Sequence, residues 1–125
     1  MPQSPSVLIV EPSADEREVL RTVLERRGLR IWEAAEVETG LQLAREHHPD
    51  VIVLDAETNH AGDADVQAQF DDEASQQQSS LIILGRLRRT APLPAGQQIA
   101  KPYHFGPLVH KIEQLAAVQL AARAA

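Results

Sequence analysis

Three short apolar runs, separated by segments with helical periodicity, constrain this fold more than any other feature of the chain. Residues 7–10, 51–54 and 81–84 are rich in β-branched side chains and do not alternate with polar ones. That pattern is typical of strands buried on both faces of a parallel sheet. Residues 29–32 are less apolar and predict an edge strand, and a short fifth strand is predicted at 98–100.

Helical signals lie between these runs. Ser13 and Glu16 have the spacing of a capping box, and Gly28 is a natural stop for the helix that they begin. Spacings of three, four and seven residues predict further helices at 37–48 and 64–76, and a last helix from Pro107 toward the end of the chain. Alternating strands and helices predict an α/β fold with a parallel sheet and right-handed crossovers.

One segment breaks this alternation. A crossover helix is expected between the fourth and fifth strands, but Pro92 and Pro94 oppose a helix there. We therefore predict that the fourth crossover helix is short or missing, with a loop or a single turn between Gly85 and Gln97.

Composition limits the classes of function. The 125 residues suit a single domain spanning 1–125, and the absence of cysteine excludes disulfides and thiolate metal sites. A net charge of −6 disfavours binding to nucleic acid. The apolar runs are far shorter than the ~20 residues that span a membrane, and the N-terminus lacks the pattern of a signal peptide. We expect a cytoplasmic protein without membrane contact.

Polar residues follow the predicted strands at the edge where ligands bind in open parallel sheets. Glu11 follows the first strand, Asp55 the third and Lys101 the fifth. A lone aspartate after a strand is usually a turn or helix cap, but three such side chains at one edge form a polar constellation. The alternative is an ion-pair cluster with a structural role only.

Four stretches carry a resemblance to a known family. Residues 8–11 (LIVE), 40–44 (GLQLA), 49–55 (PDVIVLD) and 101–103 (KPY), in this order of elements, resemble the receiver domain of two-component response regulators. The resemblance covers nearly the whole chain, and its most specific parts are the 49–55 stretch and the Lys-Pro pair. It implies a flavodoxin-like, doubly wound, five-stranded parallel sheet.

The resemblance also implies roles for the strand-end residues. An aspartate at the position of Asp55 accepts a phosphoryl group from a histidine kinase, and a lysine at the position of Lys101 pairs with that group. An acidic pair after the first strand, of which Glu11 would be the first member, holds Mg²⁺. A serine or threonine after the fourth strand donates a hydrogen bond to the phosphoryl group.

Two of these parts are missing. Pro12 stands at the position of the second acid, and it offers no side-chain oxygen to Mg²⁺. Gly85 stands at the position of the hydroxyl residue. We therefore expect no resident cofactor, with Mg²⁺ binding weak at best, and we expect Asp55 to be a poor phosphoacceptor.

Arg86 follows Gly85 beside the predicted acidic pocket. Its permanently charged, planar group can bind one or two carboxylates. We predict that Arg86 substitutes for the metal by neutralising Glu11 and Asp55. The alternative is that it points to water with its neighbouring arginines.

The sequence thus favours an atypical, stand-alone receiver-like domain that is not an enzyme and that signals through protein contacts. The first alternative is a phosphorylation-dependent receiver that accepts a phosphoryl group on Asp55. The second is a small phosphatase with Asp55 as nucleophile. The expected partner is a signalling protein such as a histidine kinase, and a homodimer through the last helix, around Leu108, Ile112 and Leu115, is a further hypothesis.

Overall fold

The structure, a computed structural model, describes residues 4–85, 96–101 and 103–124. Its five strands form one parallel sheet in the order β2-β1-β3-β4-β5. The predicted flavodoxin-like, doubly wound five-stranded sheet is confirmed, as is the edge position of the second strand. The strands are β1 (Ser6–Val10), β2 (Arg30–Ala34), β3 (Val51–Asp55), β4 (Ser80–Leu84) and β5 (Gly96–Ile99).

Four helices cover the two faces of the sheet within the described ranges. The N-terminus of the first is fixed by Ser13, whose hydroxyl accepts a hydrogen bond from the backbone N–H of Glu16 at 3.2 Å. The last begins two residues before Pro107, the predicted start. The helices are α1 (Ala14–Arg26), α2 (Val37–His47), α3 (Ala64–Gln77) and α4 (Phe105–Ala124).

The pleat of the central strands divides the core into two layers. Alternate residues of a strand point to opposite faces: Val7 and Ile9 pack with the residues of α1 and α4, whereas Leu8 and Val10 pack with those of α2 and α3. Both faces of β1, β3 and β4 are therefore buried, which is why these strands read as continuous apolar runs.

The last helix uses its apolar residues for this core. Leu108 and Ile112 are 2% and 0% exposed and lie against the sheet. These two side chains are therefore used within the domain, and the homodimer through this helix stays a prediction. A dimer through this helix would need its outward residues, such as Val118.

The predicted loop between Gly85 and Gln97 lies largely outside the described residues, so it stays a prediction.

In the described parts of the chain, no helix combines the length and the apolar character that a membrane crossing requires.

Close packing of α2 on β1 gives a test of the two-layer core. A Cβ added at Gly40 would lie 2.7 Å from Cγ2 of the fully buried Val10. Overpacking of this kind costs about 1–3 kcal/mol, against about 0.5–1 kcal/mol gained by replacing glycine in a helix. We predict that Gly40→Ala lowers the free energy of unfolding, measured by urea denaturation. The loss should shrink in a Val10→Ala background, and an equal loss in both backgrounds would contradict this packing.

Candidate functional site at the carboxyl edge of the sheet

The carboxyl edge of the sheet brings the three predicted site residues together. Glu11 directly follows β1, Asp55 ends β3, and Lys101 follows β5 by two residues. The Lys101 Nζ lies 2.6 Å from Asp55 Oδ2. Glu11 and Asp55 approach closely enough for their carboxyl groups to interact. The predicted polar constellation therefore exists as a contiguous cluster.

Asp55 is held in one orientation by bonds to both of its carboxylate oxygens. Its side chain is 1% exposed, Lys101 Nζ donates to Oδ2, and the backbone N–H of Glu57 donates to Oδ1 at 2.8 Å. Burial acts to raise the pKa of Asp55, but hydrogen bonds from Glu11, Lys101 and the Glu57 backbone outweigh it and hold that pKa below its usual value. Asp55 is thus an ionised carboxylate in a nearly dry position.

Glu11 has the opposite protonation preference. It is 6% exposed, and one of its oxygens accepts a hydrogen bond from the backbone N–H of Ser13 at 3.1 Å. Burial, followed by the hydrogen bond to Asp55, raises the pKa of Glu11 to about 8. Two neighbouring carboxyl groups whose pKa values are driven apart share one proton, and here Glu11 carries it.

Lys101 binds a second acid that the sequence did not single out. Its Nζ lies 3.0 Å from Glu57 Oε2 as well as 2.6 Å from Asp55. Burial acts to lower the pKa of Lys101, but these two bonds outweigh it and raise that pKa above its usual value. Lys101 is therefore a permanent cation, and part of its charge is directed to Glu57 at the surface.

Glu16 is the other residue that sequence reasoning missed as part of the site. Carboxylate oxygens of Glu11, Glu16 and Asp55 all lie within 4.8 Å of one another. Glu16 was interpreted as the third residue of a capping box, and half of that box is present: the Glu16 N–H donates to the Ser13 hydroxyl, but the Ser13 N–H donates to Glu11 and not to Glu16. Its place in the first turn of α1 could have indicated the rest, since that turn begins directly above the end of β1.

The three acids supply the ligand type that Mg²⁺ prefers. Opposite ligands of Mg²⁺ stand about 4.2 Å apart, twice the usual bond length of about 2.1 Å. Among three ligands at most one pair can be opposite, and adjacent ligands lie about 3 Å apart, so oxygens within 4.8 Å of one another would have to move closer or bind partly through water. These residues therefore fit a hard divalent cation, with Glu16 in the role for which Pro12 has no oxygen. The proton on Glu11 and the ammonium of Lys101 both compete with it.

The backbone conformation of Gly85 disfavours any residue with a hydroxyl side chain at this position. This residue has a φ of +146°, and a Cβ added to it would lie 2.8 Å from the Cβ of Ala56. Side chains other than hydrogen are strained in that conformation. Both the backbone conformation and the Cβ of Ala56 therefore disfavour serine or threonine at position 85.

Arg86, the predicted substitute for the metal, lies outside the described residues, and so do Arg88, Arg89 and Pro102. The hypothesis that Arg86 neutralises Glu11 and Asp55 stays a prediction.

Comparisons with known proteins agree with this fold. The N-terminal domain of an uncharacterized protein from Wolinella succinogenes is 25% identical, with a TM-score of 0.76 over 95% of this chain and 99% of that one. A CheY-like response regulator receiver domain protein from Methanospirillum hungatei has a TM-score of 0.75 at 18% identity, over 94% and 97% of the two chains. No family model matches the chain.

Sequence similarity is confined to part of the chain. Over 51 residues it is 47% identical to the transcriptional regulatory protein AfsQ1 of Streptomyces coelicolor. The match covers 41% of this chain and 23% of AfsQ1, so the chain spans well under two thirds of that relative. The predicted resemblance is confirmed: the chain has the fold of response regulator receiver domains and shares sequence with a response regulator.

The conformation of Gly85 generates one prediction. We expect Gly85→Ala to reduce the free energy of unfolding by about 1–3 kcal/mol, because it adds backbone strain and a clash with Ala56. Gly106→Ala is the matched control, since a Cβ there meets no atom within 4 Å. An Ala56→Gly background should relieve the clash but leave the strain. Equal stability of the Gly85 and Gly106 variants would contradict this account.

The proton on Glu11 generates another. A group whose pKa rises from 4.5 in the unfolded chain to about 8 in the folded one contributes stability that is complete below pH 4.5 and lost as the pH rises through 8. The lowered pKa of Asp55 acts only below its usual value of 3.8, outside this window. Glu11→Gln mimics the protonated form, so its melting temperature should fall less than that of the wild type between these pH values.

The measurement is thermal unfolding across this pH range in the presence of a chelator. The exposed Glu18 provides the control, and Glu18→Gln should keep the pH dependence of the wild type. A wild-type melting temperature that is flat across the window would show that Glu11 titrates normally.

Proposed function

We propose that this receiver-like domain acts in two-component signalling as an atypical member, which works through protein contacts and is phosphorylated on Asp55 weakly or not at all. The observation that carries the proposal is the state of the carboxyl edge. Asp55 is engaged by Lys101 and the Glu57 backbone, Glu11 carries a proton at neutral pH, and Gly85 offers no hydroxyl.

Charge balance explains why such a site transfers phosphate poorly. Phosphoryl transfer depends on positioning and on neutralising the charge of the transferred group. Part of the Lys101 charge is directed to Glu57, and no side-chain hydroxyl at position 85 can bind a phosphoryl oxygen. On phosphorylation of Asp55, Lys101 would therefore have to move from the carboxylate to the phosphoryl oxygens, and no hydroxyl at position 85 would provide a second anchor for them.

A phosphorylation-dependent receiver is the second candidate, and the position of Glu16 favours it. With Glu11 and Asp55 it completes a set of three acids. In the transfer of a phosphoryl group from a phosphohistidine, an oxygen of Asp55 attacks phosphorus. The bond from phosphorus to the donor's imidazole nitrogen breaks, and the imidazole leaves with the electron pair. Lys101 would move from Asp55 to the new phosphoryl oxygens. Bound Mg²⁺ would supply neutralisation of the phosphoryl charge, at the cost of the proton on Glu11.

We do not assign an enzymatic activity. The phosphatase alternative needs a general acid that is free to protonate a leaving group. Glu57, two residues after Asp55, is 73% exposed and paired with Lys101, and the proton of Glu11 is engaged in its hydrogen bond with Asp55. Hydrolysis of an aryl phosphate should therefore stay at the background level of an Asp55→Asn control.

The partner we propose is a signalling protein such as a histidine kinase. The net charge of −6 opposes direct binding to nucleic acid, although the curated relative AfsQ1 is a transcriptional regulator. A cytoplasmic location, a homodimer and the single-domain span of 1–125 stay predictions.

Incubation with acetyl phosphate and Mg²⁺, followed by intact mass measurement, tests the proposal. We expect the wild type to gain little phosphate, about a tenth of the molecules or fewer, since ground-state pairing and the missing hydroxyl both oppose transfer. Asp63→Asn, which alters an exposed acid of the loop that follows β3, is the control for Asp55→Asn. A rapid gain of one phosphoryl group that only Asp55→Asn abolishes would establish the phosphorylation-dependent alternative instead.

A further inference from the structure

A cavity of about 310 Å³ opens beside the acidic cluster, between α1 and the start of α4. Its floor is apolar and includes Val53 of β3 and Leu84 of β4. Its walls include Val19 and Leu20 of α1 on one side and Tyr103 and Phe105 on the other. This volume is at the lower end of the range found for small-molecule sites, which are mostly apolar with a few placed polar groups.

The cavity mouth exposes apolar side chains on both sides. Val19 is 54% exposed and Phe105 is 37% exposed, and both line the cavity. Covering exposed apolar side chains with a ligand removes them from water, which favours binding. The two side chains therefore favour an occupant with an apolar part.

The rim of the cavity is strongly acidic. Four carboxyl groups line it, those of Glu11, Asp15, Glu16 and Asp55. Within the described residues, Lys101 is the basic residue whose side chain contacts one of these four carboxyl groups. Its ammonium is shared between Asp55 and Glu57. Since Glu11 carries a proton and Asp55 is paired with Lys101, the negative charge of the rim comes from the exposed Asp15 and Glu16. Beside low-dielectric walls, these two carboxylates attract a cation and repel an anion.

We propose that this cavity binds a small amphipathic cation, a primary amine or a guanidine carried on an aryl or branched alkyl group. The cationic head engages the carboxylates of Asp15 and Glu16, and the apolar part lies between Val19 and Phe105. The inference does not depend on whether Asp55 is phosphorylated. It has a consequence for the same edge: the ligand uses Glu16, one of the three acids that fit a divalent cation, so the ligand and the cation compete.

The test compares the binding of 2-phenylethylamine with that of its neutral analogue 2-phenylethanol. Binding is measured from the backbone amide NMR signals of the whole chain. The amine should shift the amide signals of Val19, Leu20, Tyr103 and Phe105 in a saturable manner. It should bind at least about tenfold more tightly than the alcohol, since one charge-assisted contact is worth about 1.4 kcal/mol or more. Mg²⁺ should weaken the binding of the amine.

Two matched pairs of variants separate the cavity from the general surface. Val19→Ser should weaken amine binding, whereas Val118→Ser, at an equally exposed valine of α4 that does not line the cavity, should not. Glu16→Gln should weaken it, whereas Glu18→Gln, on the same helix but outside the lining, should not.

Three results would overturn the proposal. Equal affinity for the amine and the alcohol would remove the role of the acidic rim. Equal effects within either pair of variants would place the binding elsewhere on the acidic surface. Absence of any shift with either probe would leave the cavity as a contact surface for a larger partner at most.

Discussion

The ion pair between Lys101 and Asp55, with the proton on Glu11 beside it, is the interaction on which the character of this edge depends. Glu11 and Asp55 are buried here, with 6% and 1% of their surface exposed. Ionising both carboxyl groups at once would carry a large free-energy penalty. Lys101 stabilises one as an anion, and a proton neutralises the other. The charges of Glu11 and Asp55 are thereby balanced by the chain itself, without a metal ion or a phosphoryl group.

The parallel sheet is what brings these groups together. Glu11, Asp55 and Lys101 are far apart in the sequence, but each follows a strand, and parallel strands end at one edge. Gly85 directly follows β4, the strand between β3 and β5, and its backbone conformation and the Cβ of Ala56 exclude a larger side chain there. The same geometry leaves an acidic rim next to an apolar cavity, and both the atypical function and the binding of an amphipathic cation are proposed from that juxtaposition.

Much of this could be predicted from the sequence, because the strands are continuous apolar runs and the strand ends are marked by charged residues. Glu16 and Glu57 were not, since a helix-capping pattern explained the first, and the second stands two residues after Asp55 with no local signal that Lys101 reaches it. Leu108 and Ile112 show the same limit: their spacing predicted a helix, but only packing decides whether such a stripe faces the core or a partner. The roles of Arg86 and of the segment around it stay predictions from sequence.

Titration of the side-chain carboxyl carbons by NMR, in the absence of divalent cations, tests the central claim most directly. We predict that Glu11 titrates near pH 8 and that Asp55 stays ionised to below its usual value of 3.8. Because the two groups are coupled, each signal should also show a small step at the midpoint of the other. A Glu11 midpoint near 4.5, the value of an ordinary glutamate, would show that the edge is not balanced by a shared proton and would contradict the account.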